Sequence, residues 1–78
     1  MPVKYNLVEQ IGAFGKYNKP SEDAVVTKEI NIVEWDGKAP ALDIRKWQDG
    51  EPKKGITIDD HELDDFFAAL RKAYPERF

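Results

Sequence analysis

Apolar and polar positions alternate along the middle of the chain and then change period near its end. Residues 24–35, AVVTKEINIVEW, are rich in β-branched and aromatic types and predict a strand, with Ile30 and Ile32 in one phase and Asn31, Val33 and Trp35 in the other. Asp36-Gly37 is a tight-turn signal. It leads into a further strand over 41–47, ALDIRKW, and a short one over 55–58, GITI. Upstream, residues 3–14 predict a first strand with imperfect alternation, bent near Gly12 and Gly15. GKYNKPSED at 15–23 and QDGEPKKG at 48–55 have the composition of loops.

From Asp60 to Tyr74 the spacing becomes helical, with Leu63, Phe66, Phe67, Leu70 and Tyr74 on one stripe. Asp59 is a natural N-cap, and Glu62 stands where a capping box needs it. Acids fill the first turns and Arg71 and Lys72 the last, as the helix dipole favours. Pro75 stops the helix. The order β-β-β-β-α defines an α+β fold, an antiparallel meander followed by one amphipathic helix, in a single domain over 1–78. Leu42, Ile44, Ile30, Ile32, Ile56 and Ile58, with Leu7 and the helix aromatics, are expected to form one core layer between sheet and helix.

At 78 residues the chain buries only about 60% of its unfolded surface, so its own core is marginal and self-association is favoured. It contains no cysteine, which excludes disulfides, thiolate metal sites and cysteine nucleophiles, and its single histidine leaves little for zinc. MPVKYNLVEQ has no apolar signal region and no run approaches a membrane span, so a cytoplasmic protein without membrane contact is expected. The net charge of −3 is unevenly spread: Asp59, Asp60, Glu62, Asp64 and Asp65 crowd one segment, and without them the sign reverses. Binding to phosphates depends on the local field rather than on that total.

The second phase of the strands is expected to face water. It carries Asn31, Val33 and Trp35 on one strand and Asp43, Arg45 and Trp47 on the next. Two indoles beside a guanidinium can stack bases, worth roughly 1–3 kcal/mol per base and tolerant of sequence. Lys28, Lys38, Lys46, Lys53 and Lys54 could supply charge at edges and loops. Exposed tryptophans in small domains also bury themselves in a dimer seam or under a second sheet, so the pattern alone does not name a ligand.

The stretch VEWDGKAPALDIRKW, a turn-rich gap and KKGITIDDHEL together resemble the transcriptional coactivator family Positive Cofactor Four, in particular its short bacterial members. The resemblance covers residues 26–74. It implies a curved antiparallel sheet with a C-terminal helix, the whirly-like fold of single-stranded-DNA-binding coactivators, in a homodimer that presents its sheets to single-stranded DNA. It implies that Trp35 is the stacking aromatic, that Arg45 contacts DNA, and that Lys38 and Lys54 are the basic turn and loop positions. Trp47 falls within the aromatic pair ending the third strand. The helix, through Phe66, Phe67, Leu70 and Tyr74, is implied in the dimer interface. Val33 departs from the family, where a basic residue is common, and Asp49 and Glu51 make the following loop less positive.

HELDD at 61–65 lacks the second histidine of a zinc protease motif, Asp65 standing in its place, and GAFGK is no phosphate loop. No nucleophile–base pair or metal constellation points to catalysis, so no enzyme, cofactor or small-molecule substrate is expected. Two functions remain: a dimeric, sequence-tolerant binder of single-stranded DNA or RNA, in transcription regulation or DNA maintenance with access to the bacterial nucleoid, and a protein-interaction module using the same aromatic face.

Overall fold

Two Asp-Gly pairs set the geometry of the sheet. In the computed structural model, which describes residues 4–78, Asp36 and Gly37 both have positive φ, and so do Asp49 and Gly50. This is the backbone of a type I′ turn, whose twist matches that of the strands it joins. The first pair lies in the turn between β2 (Ala24–Trp35) and β3 (Ala41–Gln48), where the Lys38 amide donates to the Trp35 carbonyl at 2.9 Å. The second pair joins β3 directly to β4 (Glu51–Ile58). Residues 51–54, expected in a loop, therefore belong to a strand; Pro52 is tolerated because β4 is an edge strand.

The first strand, β1 (Tyr5–Lys19), pairs with β2 and also outruns its expected end, since Tyr17, Asn18 and Lys19 remain in register with Val26, Val25 and Ala24. Three register shifts interrupt it, one of them between Phe14 and Tyr17, around Gly15 with its φ of +62°. The expected start at Val3 lies outside the described residues. All four strands form one antiparallel sheet in chain order, followed by a 3-10 turn, Asp60–Glu62, and the helix α1 (Leu63–Ala73). The predicted capping box is formed, with the Asp59 amide donating to Glu62 Oε1 at 2.9 Å. A further 3-10 turn, Pro75–Arg77, follows the helix.

Cross-strand partners share a face, so the register sorts the side chains. One face, the indole face, carries Tyr5, Thr27, Glu29, Asn31, Val33, Trp35, Asp43, Arg45, Trp47 and Thr57. The other carries Ile30, Ile32, Leu42, Ile44, Ile56 and Ile58, with Lys28 opposite Lys46. The expected assignment of inside and outside is overturned. Asn31, Val33 and Asp43 on the indole face are fully buried, whereas Ile56 is 57% exposed and Ile30, Ile32, Leu42 and Ile44 are only half-buried. Of the six expected core aliphatics, only Ile58 is buried.

The reason is the helix. The substantial contacts of α1 are with the 3-10 turns that flank it, not with the sheet, and none of its residues is buried. Phe67 and Tyr74 are exposed, as is Leu7 on β1. The isoleucine face, apart from the buried Val26 and Ile58, and the helix stripe are thus two apolar surfaces only partly covered within this chain.

Gly55 is the tightest of the glycines. A Cβ there would come within 1.9 Å of Arg45 Cβ and 2.4 Å of the Ile44 carbonyl oxygen. Gly55→Ala is therefore expected to push β4 away from β3 and to destabilise the fold by about 1–3 kcal/mol or more, as overpacking does. Urea denaturation checks this, with Gly37→Asn, a substitution that tolerates positive φ, as the mild control.

Candidate nucleic-acid interface

The sequence Asp43-Ile44-Arg45 places a carboxylate and a guanidinium on the same side of β3, two residues apart. Asp43 is wholly buried, and its two oxygens receive the Arg45 fork, Nε to Oδ2 at 2.5 Å and Nη2 to Oδ1 at 2.7 Å. The Thr57 hydroxyl of β4 donates to the same Oδ1 at 2.9 Å. Arg45 Nη1 reaches the Lys53 carbonyl at 3.0 Å. The guanidinium is thereby held over the Trp35 ring, its Cζ 4.5 Å from the ring centroid, in cation–π contact. Only 16% of the Arg45 side chain remains exposed.

Tyr5 completes the cluster from β1. Its ring lies 5.4 Å from Trp35 at 49° and 5.7 Å from Trp47 at 72°, edge to face with the latter. Trp47 is not the open platform the sequence suggested. It is 6% exposed, packed against Tyr5 and flanked across the strands by Thr27 and Pro52. Trp35 is half-buried, and Tyr5, at 40% exposure, is the most open ring of the three. Beside them on β2, Glu29 accepts from Thr27 Oγ1 at 2.7 Å and from Asn31 Nδ2 at 3.3 Å. Both indole N–H groups and Asn31 Oδ1 are buried without a hydrogen-bond partner among the described residues.

In front of this cluster lies a cleft of about 410 Å³, lined by Trp35, Lys38, Ala39, Ala41, Arg45, Thr57 and Asp59. Of the eight residues expected to contact nucleic acid, it brings three together: Trp35, Lys38 and Arg45. The others sit differently. Lys46, Lys53 and Lys54 surround a second depression of about 290 Å³ with Tyr17 and Val26. Lys28 shares the isoleucine face with Lys46, directly across the strand pair, and Lys53 also pairs with Glu51 at 3.6 Å. The basic residues therefore serve both faces of the sheet rather than one continuous surface.

Tyr5, Thr57 and Asp59 were missed by sequence reasoning. The bulges of β1 hide the register that brings Tyr5 opposite Trp35. Asp59 had a complete explanation as a cap, and Asp49 likewise has a structural task, since its carboxylate accepts the Val25 amide at 3.0 Å. Asp59, His61 and Glu62 each bring a ligand-type atom within 4.8 Å of one another, but all three are exposed and Glu62 is engaged in the cap.

Removing Arg45 leaves the Asp43 carboxylate buried and unpaired, a change that typically costs 3–5 kcal/mol. Arg45→Ala is thus expected to lose about that much stability, and Arg45→Lys most of it, because an ammonium cannot reproduce the two-pronged pairing. Chemical denaturation followed by tryptophan emission measures both. Equal stability of all three proteins would contradict a structural ion pair.

Compared with known proteins, the chain matches no protein-family model and no curated sequence, so its function rests on the chemistry of its own residues.

Proposed function

We propose that this chain binds single-stranded nucleic acid as a homodimer of the Positive Cofactor Four type, with DNA as the primary ligand and RNA as the second, in transcription regulation or DNA maintenance. The observation that carries this reading is the grouping of Trp35, Arg45 and Lys38 around an open cleft, with the Tyr5 ring packed against Trp35 on the same sheet face. Exposed ring surface next to fixed positive charge suits unpaired bases and their phosphates, whereas a duplex keeps its bases stacked internally. Trp47 supports this platform from beneath. Arg45, pinned by Asp43, offers a strand the outward edge of its guanidinium with little rotamer entropy left to lose.

The second copy is argued from the helix. An isolated helix of the length of α1 is marginal in water, and such helices draw their stability from packing an amphipathic face. The Leu63, Phe66, Phe67, Leu70 and Tyr74 stripe is only partly covered within the chain, and so is the isoleucine face. The helix begins with Asp64 and Asp65, and the isoleucine face ends at Lys28 and Lys46, so a partner's helix laid on this face gains opposite charges as well as apolar contact. We assign the seam to Phe66, Phe67, Leu70 and Tyr74 against the isoleucines of the second copy.

Two measurements test the reading. A fluorescently labelled single-stranded oligonucleotide should bind at low salt, lose affinity linearly in log salt through counterion release, and outcompete the matching duplex. No binding at low salt would overturn the function in favour of a protein-interaction module. Light scattering should return twice the chain mass, and Leu70→Asp should return the monomer mass. A wild-type monomer at micromolar concentration would contradict the assembly.

A further inference from the structure

The cleft beside Trp35 contains a group that a pure phosphate site would not keep. Its lining holds two cations, Lys38 and Arg45, and also the carboxylate of Asp59. Topology puts it there. β4 ends at Ile58 opposite Leu42, at the start of β3, so the next residue emerges beside the β2–β3 turn that carries Lys38. Asp59 is exposed and accessible. In the capping box one of its oxygens faces the Glu62 amide, and a carboxylate has a second.

A carboxylate repels phosphate but accepts from an amino group, and an ammonium donates to ring nitrogens and carbonyls. Together they match the edge of a nucleobase that bears an exocyclic amine next to an acceptor. Resting on the nucleic-acid reading above, we propose that this cleft takes the edge of an amino-bearing base, cytosine or adenine, in preference to thymine or uracil. Asp59 accepts the exocyclic amine, as acidic side chains do from cytosine N4, and Lys38 donates to the adjacent ring nitrogen. Trp35, Ala39 and Ala41 give the base an apolar wall, and the cleft volume lies in the range of small-ligand sites. Thymine and uracil present carbonyl oxygens on both sides of a single ring N–H, and those oxygens would meet the carboxylate. Stacking elsewhere on the face stays tolerant of sequence; this one subsite discriminates.

The test compares labelled oligodeoxycytidylate and oligodeoxythymidylate of about twelve nucleotides, within the footprint of a small single-strand-binding domain. Both are pyrimidine strands, so stacking differs little between them. The wild-type protein is expected to bind the cytosine strand about five- to tenfold more tightly, as one good polar pair to a base edge provides. Asp59→Asn should bring the two affinities within about twofold and leave the melting temperature unchanged, because Asn caps a helix as well as Asp. Equal wild-type affinities, or a preference that survives Asp59→Asn, would overturn this inference alone. Failure of both strands to bind would overturn the nucleic-acid reading and this inference with it. The wild-type comparison needs no variant, so the outcome does not depend on the folding of Asp59→Asn.

Discussion

The pairing of Arg45 with Asp43 is the interaction on which the rest of the indole face depends. It joins three strands. Asp43 and Arg45 stand on β3, Thr57 and the Lys53 carbonyl come from β4, and the guanidinium covers Trp35 at the end of β2. Gly55 belongs to the same arrangement, because only a residue without Cβ lets β4 approach the Arg45 backbone this closely. A buried ion pair of this kind contributes little net stability against an apolar replacement, yet breaking it by removing one partner is costly. What it supplies is a fixed geometry: a flat cation, a ring beneath it, and a cleft whose walls do not have to be ordered when a ligand arrives.

The distribution of apolar surface points outward from that centre. The indole face closes over itself, with Asp43 bonded, Val33 buried and Trp47 packed against Tyr5. The isoleucine face and the helix stripe do not. A chain this small has few ways to cover both, and folding the helix back onto its own sheet is not the one adopted here. On the function proposed above, binding and assembly fall on opposite sides of one sheet, and a second copy laid on the isoleucines would leave the cleft at Trp35 open.

The elements of this fold were legible in the sequence; which side of the sheet is buried was not. The helix before Pro75, the second and third strands, and the turn at Asp36-Gly37 all follow from spacing and turn chemistry, although the expected first helical turn after Asp59 is a 3-10 turn and the α-helix starts only at Leu63. Asp49-Gly50 carried the same turn signal, but Pro52 and two lysines after it disguised a strand as a loop. The strand phases were read correctly as two faces, and hydrophobicity then chose the wrong one as the deeper. Alternation reports which residues share a side, not what covers them. Asp43 is buried beneath the arginine that pairs with it, and Asn31 lies buried beside it, donating to Glu29, an arrangement of side-chain pairing that no polarity pattern encodes. The candidate site was half visible: Trp35, Lys38 and Arg45 could be named, while Tyr5 and Asp59 needed the register of β1 and the exit of β4.

A nitrogen–proton correlation spectrum of the protein, recorded with and without a short single-stranded oligonucleotide, tests the central claim most directly. In the free protein the Arg45 Nε–H should be visible near neutral pH and slow to exchange, as a donor locked onto a buried carboxylate must be. On titration the Trp35 indole and the Lys38 and Asp59 amides should shift together, while the amides of α1 stay in place. An Arg45 Nε–H that exchanges as freely as a surface side chain, or shifts confined to the helix, would contradict the account.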